Sequence, residues 1–291
     1  MKTFWIRTAS AVVYVILFLG TLFSGMLLGN PKLGALIFGA FLLFVTMGCT
    51  FEFFRIVAHQ GARPCKSLGY FYAASLLLVI LVSPLLIDSL VGFNMMLTAF
   101  FLFPSTFALA SIVQLWKQSE QPFRDAAYTL VPMLYVGLPL SLMSMLVTQH
   151  NFHGVLMVLM LVAMVWINDS GAYIGGSLFG RHKMWPRHSP GKTWEGTAFG
   201  VMVTILVAMF AGPLVLPSVA WYHWLAMGLI CSVVDTLGDL VESMLKRSVG
   251  VKDSGNIMPG HGGFLDRFDS LLIIMPFAYA YIALVSSFIL I

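Results

Sequence analysis

Apolar segments of about 20 residues recur along the whole chain, and they limit what it can fold into. A bilayer core about 30 Å thick needs about 20 apolar residues in each helix that crosses it. The chain is 59% hydrophobic and only 10% charged, whereas soluble domains carry about 25% charged residues. The pattern therefore predicts an all-α, polytopic transmembrane protein.

Nine segments are long and apolar enough to be interpreted as transmembrane helices. They lie at 8–29, 33–51, 69–87, 92–116, 126–147, 153–168, 196–217, 221–245 and 270–290. The stretches between them are too short for a second core, so we expect a single integral membrane domain over 1–291. Within it, residues 1–150 are expected to be mainly scaffold, and residues 151–291 to carry the catalytic helices and loops. The first segment lacks a convincing cleavage site, so it is expected to remain as a helix.

Basic residues fall almost entirely on one side of this nine-helix topology. Of the 16 Lys and Arg residues, only Lys32 lies on the opposite side. Because cytoplasmic loops carry an excess of Lys and Arg, the bias predicts a cytoplasmic N-terminus and an external C-terminus. The net charge of +4 comes with no basic tract interleaved with aromatic residues, so we expect no nucleic-acid partner.

Carboxylates are concentrated in the second half of the chain, many at the edges of apolar segments. Ionisable groups near bilayer depth are costly and tend to mark a polar cavity or a functional site. At helical spacing, one face of segment 234–247 carries Asp235, Asp239, Glu242, Ser243 and Lys246. A helix end facing water, with an ordinary ion pair between Glu242 and Lys246, is the plainer alternative. The roles of Asp235 and Glu242 stay open.

A glycine-rich loop, residues 248–263, follows this segment and carries Lys252, Asp253 and His261. Backbone N–H groups of such a loop can line an anion site. Beyond it, Asp266, Arg267 and Asp269 stand at the start of the last apolar segment. Carboxylates beside cations are what a magnesium-bound nucleotide requires. A flexible connector is the alternative for the loop, and a structural hydrogen bond is the more common role for a lone histidine.

A third polar cluster covers residues 168–173, 181–183 and 189–196. Gly191, Lys192 and Thr193 suggest a P-loop, but that motif needs glycine five residues earlier, where Pro186 stands. Lys192 near a helix start still suits a phosphate contact. The neighbouring basic residues Arg181, Lys183 and Arg187 are more readily explained as lipid-headgroup anchors.

Together, the motifs at 243–247, 252–253, 259–263 and 266–269 resemble the signature of the phosphatidate cytidylyltransferase family, also called CDP-diacylglycerol synthases. The match runs without gaps over residues 243–269. Residues 169–173 and 189–196 are similar to a second block of that family. The resemblance thus spans about residues 165–270, and the earlier helices are similar only in general character.

The resemblance implies a nucleotidyltransferase that moves CMP from CTP to phosphatidic acid, giving CDP-diacylglycerol and pyrophosphate. It implies Mg²⁺ held by Asp239 and Asp266, and it leaves a second cation open. Residues assigned to catalysis are Lys246, Arg247, Lys252, Asp253, Arg267 and Asp269. Residues assigned to substrate binding are Asp169, Lys192, Ser243, His261, Gly262 and Gly263.

The resemblance also implies a bacterial cytoplasmic membrane with the site facing the cytoplasm, where CTP and the lipid headgroup meet. A homodimer is consistent with it, although no residue demonstrates one. Two alternatives stay open: a CTP-dependent lipid kinase, which would release CDP, and an ion-coupled transporter, which would place carboxylates at the membrane midplane on interrupted helices.

Overall fold

A computed structural model describes residues 2–86, 105–255, 257 and 262–286. Most of these residues are helical. The helices are α1 (Lys2–Leu22), α2 (Ser24–Leu27), α3 (Pro31–Ala58), α4 (Lys66–Leu86), α5 (105–117), α6 (Pro122–Pro132), a π-helix (Met133–Gly137), α7 (Leu138–Phe179), α8 (Trp194–Val215), α9 (Trp221–Ser248) and α10 (Leu265–Ser286). Strands β1 (Lys183–Trp185) and β2 (Ser189–Thr193) form an antiparallel hairpin.

Six helical segments in the described part of the chain are long and apolar enough to cross a membrane. They are Pro31–Ala58, Pro122–Gln149, Phe152–Phe179, Trp194–Val215, Trp221–Ser248 and Leu265–Val285, and two shorter apolar helices cover Thr8–Leu22 and Lys66–Leu81. The prediction of an all-α, membrane-spanning fold is therefore confirmed at this level. Much of the predicted segment 92–116 lies outside the described residues, which resume at 105.

Two local features differ from the sequence-based expectation. The segment predicted to end at residue 168 continues as helix α7 to Phe179, so Asp169 lies within a helix. The glycines that follow it are tolerated there because membrane helices use small residues for close packing. Residues 183–193, which the sequence did not assign, form the small hairpin.

The chain forms two compact units. The first comprises Met1–Asn151 and Val249–Arg267, so the glycine-rich loop, assigned above to the catalytic half, groups with the N-terminal helices. Its α3 begins at an Asn30 cap, whose side-chain oxygen accepts from Leu33 N at 3.1 Å. A buried cluster of Tyr72, Leu76, Leu130 and Met133 packs between α4, α6 and the π-helix.

The second unit comprises Phe152–Ser248 and Phe268–Ile291. Its α8 begins at a Thr193 cap, whose hydroxyl accepts from Gly196 N at 3.2 Å. Glycines let the helices of this unit approach one another closely. A Cβ added at Gly212 would lie 2.2 Å from the buried ring of Trp224, and one added at Gly196 would lie 2.6 Å from the Ala172 carbonyl oxygen. This packing holds the polar residues of α7 and α9 in place.

Candidate active site

The polar face of α9 lies inside the second unit. Asp235 is 1% exposed and Glu242 is fully buried. The Glu242 carboxylate and the Lys246 amine form the expected ion pair, and the Lys246 side chain is only 11% exposed. Because charged groups are rarely buried without a partner, the burial of Asp235 and Glu242 does not fit the plainer interpretation of a helix end that faces water.

Three carboxylates converge at this face and form what we call the acidic group: Asp239, Glu242 and Asp269. One oxygen from each lies within 4.8 Å of the others. The N-terminal part of α10 supplies Asp269, whose Oδ1 accepts from Ser270 N at 2.8 Å. Hard oxygen donors are the ligands that Mg²⁺ prefers, so this donor set fits a divalent cation. Ser243, predicted to bind substrate, lies beside it with Oγ 3.5 Å from Asp239 Oδ1.

Lys192 is paired with the acidic group. Its Nζ lies 2.7 Å from Asp239 Oδ2 and donates to the Thr236 carbonyl oxygen at 3.3 Å. The hairpin brings Lys192 there from the end of β2, two residues before α8 begins. The structure thus joins a predicted phosphate contact to a predicted metal ligand 47 positions away in the sequence.

Glu195, in the first turn of α8, fastens the base of this hairpin. Its carboxylate accepts from the backbone N–H groups of Arg181, at 3.1 Å, and His182, at 3.2 Å. It also lies 2.5 Å from the Nδ1 atom of His182. These contacts tie the end of α7 to the start of α8, and so they hold the strand that carries Lys192.

A polar cavity of about 430 Å³ opens between α7, the hairpin and α9. Its lining includes Asp169, Lys192, Thr236 and Asp239. A volume of this size is within the range of about 300–1,000 Å³ that small-molecule sites occupy. The cavity combines the Lys192 ammonium group with the carboxylates of Asp169 and Asp239. Such charged groups suit the binding of a polyphosphate in complex with a metal ion.

Asn168 and Asp235 support one wall of the cavity. The Asn168 side-chain amide donates to Asp235 Oδ2 at 2.6 Å and to the Ser232 carbonyl oxygen at 3.3 Å, linking α7 to α9. The sequence left the role of Asp235 open, and the structure gives it a partner that holds two helices together. Asn168 also lines the cavity, and sequence reasoning assigned it no role of its own.

In the first unit, the carboxylate of Asp266 is bound by the backbone around it. Ser254 N donates to Asp266 Oδ2 at 3.0 Å and Gly263 N donates to the same oxygen at 2.8 Å. Gly262 has a φ of +86°, and a Cβ there would lie 2.4 Å from Asp266 Oδ2. Glycine is therefore required at this position for both reasons.

The predicted site residues divide between the two units. Asp169, Lys192, Asp239, Ser243, Lys246, Arg247 and Asp269 belong to the second, whereas Lys252, Asp253, Gly262, Gly263, Asp266 and Arg267 belong to the first. His261 lies outside the described residues. The predicted pairing of Asp239 with Asp266 in one metal site stays a prediction, as do the catalytic roles of Lys252, Asp253 and Arg267, which are exposed.

Sequence reasoning missed Glu52 on α3. It is fully buried, and its carboxylate accepts from the backbone N–H groups of Phe264 and Leu265. The sequence carried a signal for it, since it is an acidic residue in an otherwise apolar stretch.

Residues 5–285 match the family model of the Cytidylyltransferase family, and the chain belongs to that family. It is 33% identical over 278 residues to the phosphatidate cytidylyltransferase of Staphylococcus saprophyticus, covering 93% of this chain and 96% of the relative. It is also 39% identical over 164 residues to the protein of that name from Bacillus subtilis, covering 56% of this chain and 61% of the relative. With the corresponding Staphylococcus epidermidis protein it shares 44% identity over 159 residues, which cover 53% of this chain and 58% of the relative.

Proposed function

We propose that this protein is a phosphatidate cytidylyltransferase, which transfers CMP from CTP to phosphatidic acid and releases pyrophosphate. The observation that carries the proposal is the polar cavity of the second unit, where Lys192 and Asp239 stand together. Membership of the cytidylyltransferase family supports the nucleotide chemistry. The near full-length similarity to a protein named phosphatidate cytidylyltransferase supports the lipid substrate.

The reaction joins two anions, so its main demand is charge neutralisation. A phosphate oxygen of phosphatidic acid attacks the α-phosphorus of CTP, a new P–O bond forms, and the bond to the β-phosphate oxygen breaks. The attacking phosphate is ionised near neutral pH, so no general base is needed. Among the basic residues of the second unit, we assign Lys192, Lys246 and Arg247 to the phosphate oxygens of the transferring and leaving groups.

The acidic group is the part of the second unit that fits Mg²⁺, through Asp239, Asp269 and Glu242. When bound, the ion neutralises polyphosphate charge and orients the α-phosphate for attack. Asp266 is proposed as a further ligand on the family resemblance, and a second cation is left open. In the same way, we propose that Lys252, Asp253 and Arg267 assist the transfer, and that Asp169, Ser243, His261, Gly262 and Gly263 contact substrate.

The membrane topology predicted from the sequence suits these substrates. We propose nine transmembrane helices with a cytoplasmic N-terminus, in a bacterial cytoplasmic membrane, because CTP is cytosolic and the phosphate of phosphatidic acid lies at headgroup level. The one-sided distribution of Lys and Arg supports this orientation. A homodimer is part of the proposal only by family resemblance. Alkaline phosphatase and fluorescent-protein fusions at the two termini would report opposite sides for nine helices and the same side for an even number.

The test of function is pyrophosphate release by the detergent-purified protein with CTP, Mg²⁺ and phosphatidic acid. We expect release that depends on the lipid, is abolished by EDTA and is lost in Asp239→Asn. The matched control is Glu120→Gln, which removes a carboxylate that is exposed on the first unit. Release of CDP instead of pyrophosphate would identify a lipid kinase. A folded protein that forms neither product would refute both enzyme assignments and favour a transporter.

A further inference from the structure

The carboxylate of Glu52 is bound by the glycine-rich loop and by the start of α10, although some 200 residues separate it from them. Glu52 Oε1 accepts from Phe264 N at 3.0 Å, and Oε2 accepts from Leu265 N at 2.8 Å. The Ser254 hydroxyl lies 2.8 Å from Oε2. Both oxygens are therefore used, and all three partners belong to one continuous stretch of chain within the first unit.

At two glycines of this stretch, any larger residue would clash with the Glu52 carboxylate. A Cβ at Gly255 would lie 2.4 Å from Glu52 Oε1, and a Cβ at Gly263 would lie 2.2 Å from both carboxylate oxygens. Real Cβ atoms essentially never approach so closely. The backbone at Gly255 and Gly263 therefore lies directly against the Glu52 side chain, which is fully buried.

Ser254 connects this anchor to Asp266. Its hydroxyl oxygen lies 2.9 Å from Asp266 Oδ2 as well as 2.8 Å from Glu52 Oε2. Its backbone N–H donates to Asp266 Oδ2 at 3.0 Å. Glu52 thus holds the residue immediately before Asp266 in the chain and, through Ser254, the residue that binds the Asp266 carboxylate.

We propose that Glu52 is a positioning residue for the transfer reaction, fixing the loop backbone that presents Asp266. The inference rests on the proposed function. Glu52 is not a catalytic residue in this proposal, because both of its oxygens are occupied by the loop. A carboxylate is needed since two backbone donors converge on opposite oxygens, and glutamine would place an NH₂ group against one of them. A purely structural role, in which Glu52 only satisfies free N–H groups at the start of α10, is the competing explanation.

The experiment compares the wild type with Glu52→Gln and Asp125→Asn by hydrogen exchange and by steady-state kinetics. Asp125 is a matched control because it is equally buried in the same unit, and its carboxylate is bound by Ser119 and Arg124 rather than by the loop. In Glu52→Gln we expect the Phe264 and Leu265 amides to exchange about tenfold faster or more, because a buried donor loses its acceptor. We also expect a lower kcat and a higher Mg²⁺ concentration for half-maximal activity. Asp125→Asn should change neither the exchange nor the Mg²⁺ dependence.

The proposal would be overturned if Glu52→Gln showed the same hydrogen exchange and the same Mg²⁺ dependence as the wild type. It would also be overturned if both variants lost activity in proportion to their melting temperatures, because Glu52 would then be merely structural. Should Glu52→Gln fail to fold, Ser254→Ala is the second test. It removes the hydroxyl that lies between Glu52 and Asp266, and it keeps the two backbone contacts of Glu52 and the N–H that residue 254 donates to Asp266. It should raise the Mg²⁺ requirement in the same direction by a smaller factor, and an unchanged requirement would refute the link. If the wild type releases no pyrophosphate, the proposed function fails, whereas the exchange data still test the anchor.

Discussion

Adding a single methyl group at Gly196 should destabilise the second unit, because α8 meets α7 there backbone to backbone. A Cβ at this position would lie 2.6 Å from the Ala172 carbonyl oxygen and 2.8 Å from Gly176 Cα. Ordinary van der Waals contact begins at 3.4 Å, so the two backbones would have to separate by about 0.8 Å, the difference between 3.4 and 2.6 Å. Overpacking of this kind costs about 1–3 kcal/mol.

The assay is thermal unfolding of the purified protein in detergent. With the stability effect above, Gly196→Ala should lower the Tm by about 2–12 °C, and Gly196→Val by more. Gly20→Ala is the control, since a Cβ at Gly20 meets nothing within 4 Å and alanine favours the helix. Gly176 and Thr193 line the polar cavity, so activity should fall along with Tm. A Gly196→Ala protein that melts at the wild-type temperature would refute the argument.

Three further predictions follow from other parts of the structure. Asn168→Ala should lower the free energy of unfolding by about 1–3 kcal/mol, measured in detergent, because the buried Asp235 loses its amide donor; an unchanged stability would contradict the helix-linking role. Glu195→Ala should speed hydrogen exchange at Arg181 and His182, whose N–H groups it accepts, and unchanged exchange would show that the hairpin holds without it. A maleimide should label Cys65 in the folded protein and reach the buried Cys49 and Cys231 only on unfolding, so early labelling of either buried thiol would contradict the packing.

The membrane helices could be predicted because their signal is simple: a long run of apolar residues needs no knowledge of its partners. The end of α7 could not be predicted in this way. Gly171, Gly175 and Gly176 follow a charged residue and suggest a break in the helix, but a Cβ at Gly175 would lie 2.5 Å from the Phe199 side chain. Their role in packing against α8 becomes visible only when both helices are in place.

Residue types predict which side chains suit the site, and these roles stay predictions, whereas the pairings between the side chains come from the structure. Asp269 and Lys192 are predicted from residue type, because carboxylates beside cations suit a metal-bound nucleotide, whereas the metal role of Asp239 is predicted from the family resemblance. That Lys192 pairs with Asp239, and that Asp269 joins Asp239 and Glu242 in the acidic group, depends on tertiary contacts that no spacing encodes. Glu52 illustrates the same limit, because its partners lie far along the chain from it.

The contact between Glu52 and Ser254 also sets an order of events during synthesis. The two residues are 202 positions apart, and at about 5–20 residues per second the ribosome needs about 10–40 s to travel that distance. During that time the Glu52 carboxylate on α3 has not yet met the hydrogen-bond donors that Ser254, Phe264 and Leu265 provide. Completion of these contacts is therefore a late step in biogenesis, and chains truncated before residue 254 lack all three residues that bind the Glu52 carboxylate, namely Ser254, Phe264 and Leu265.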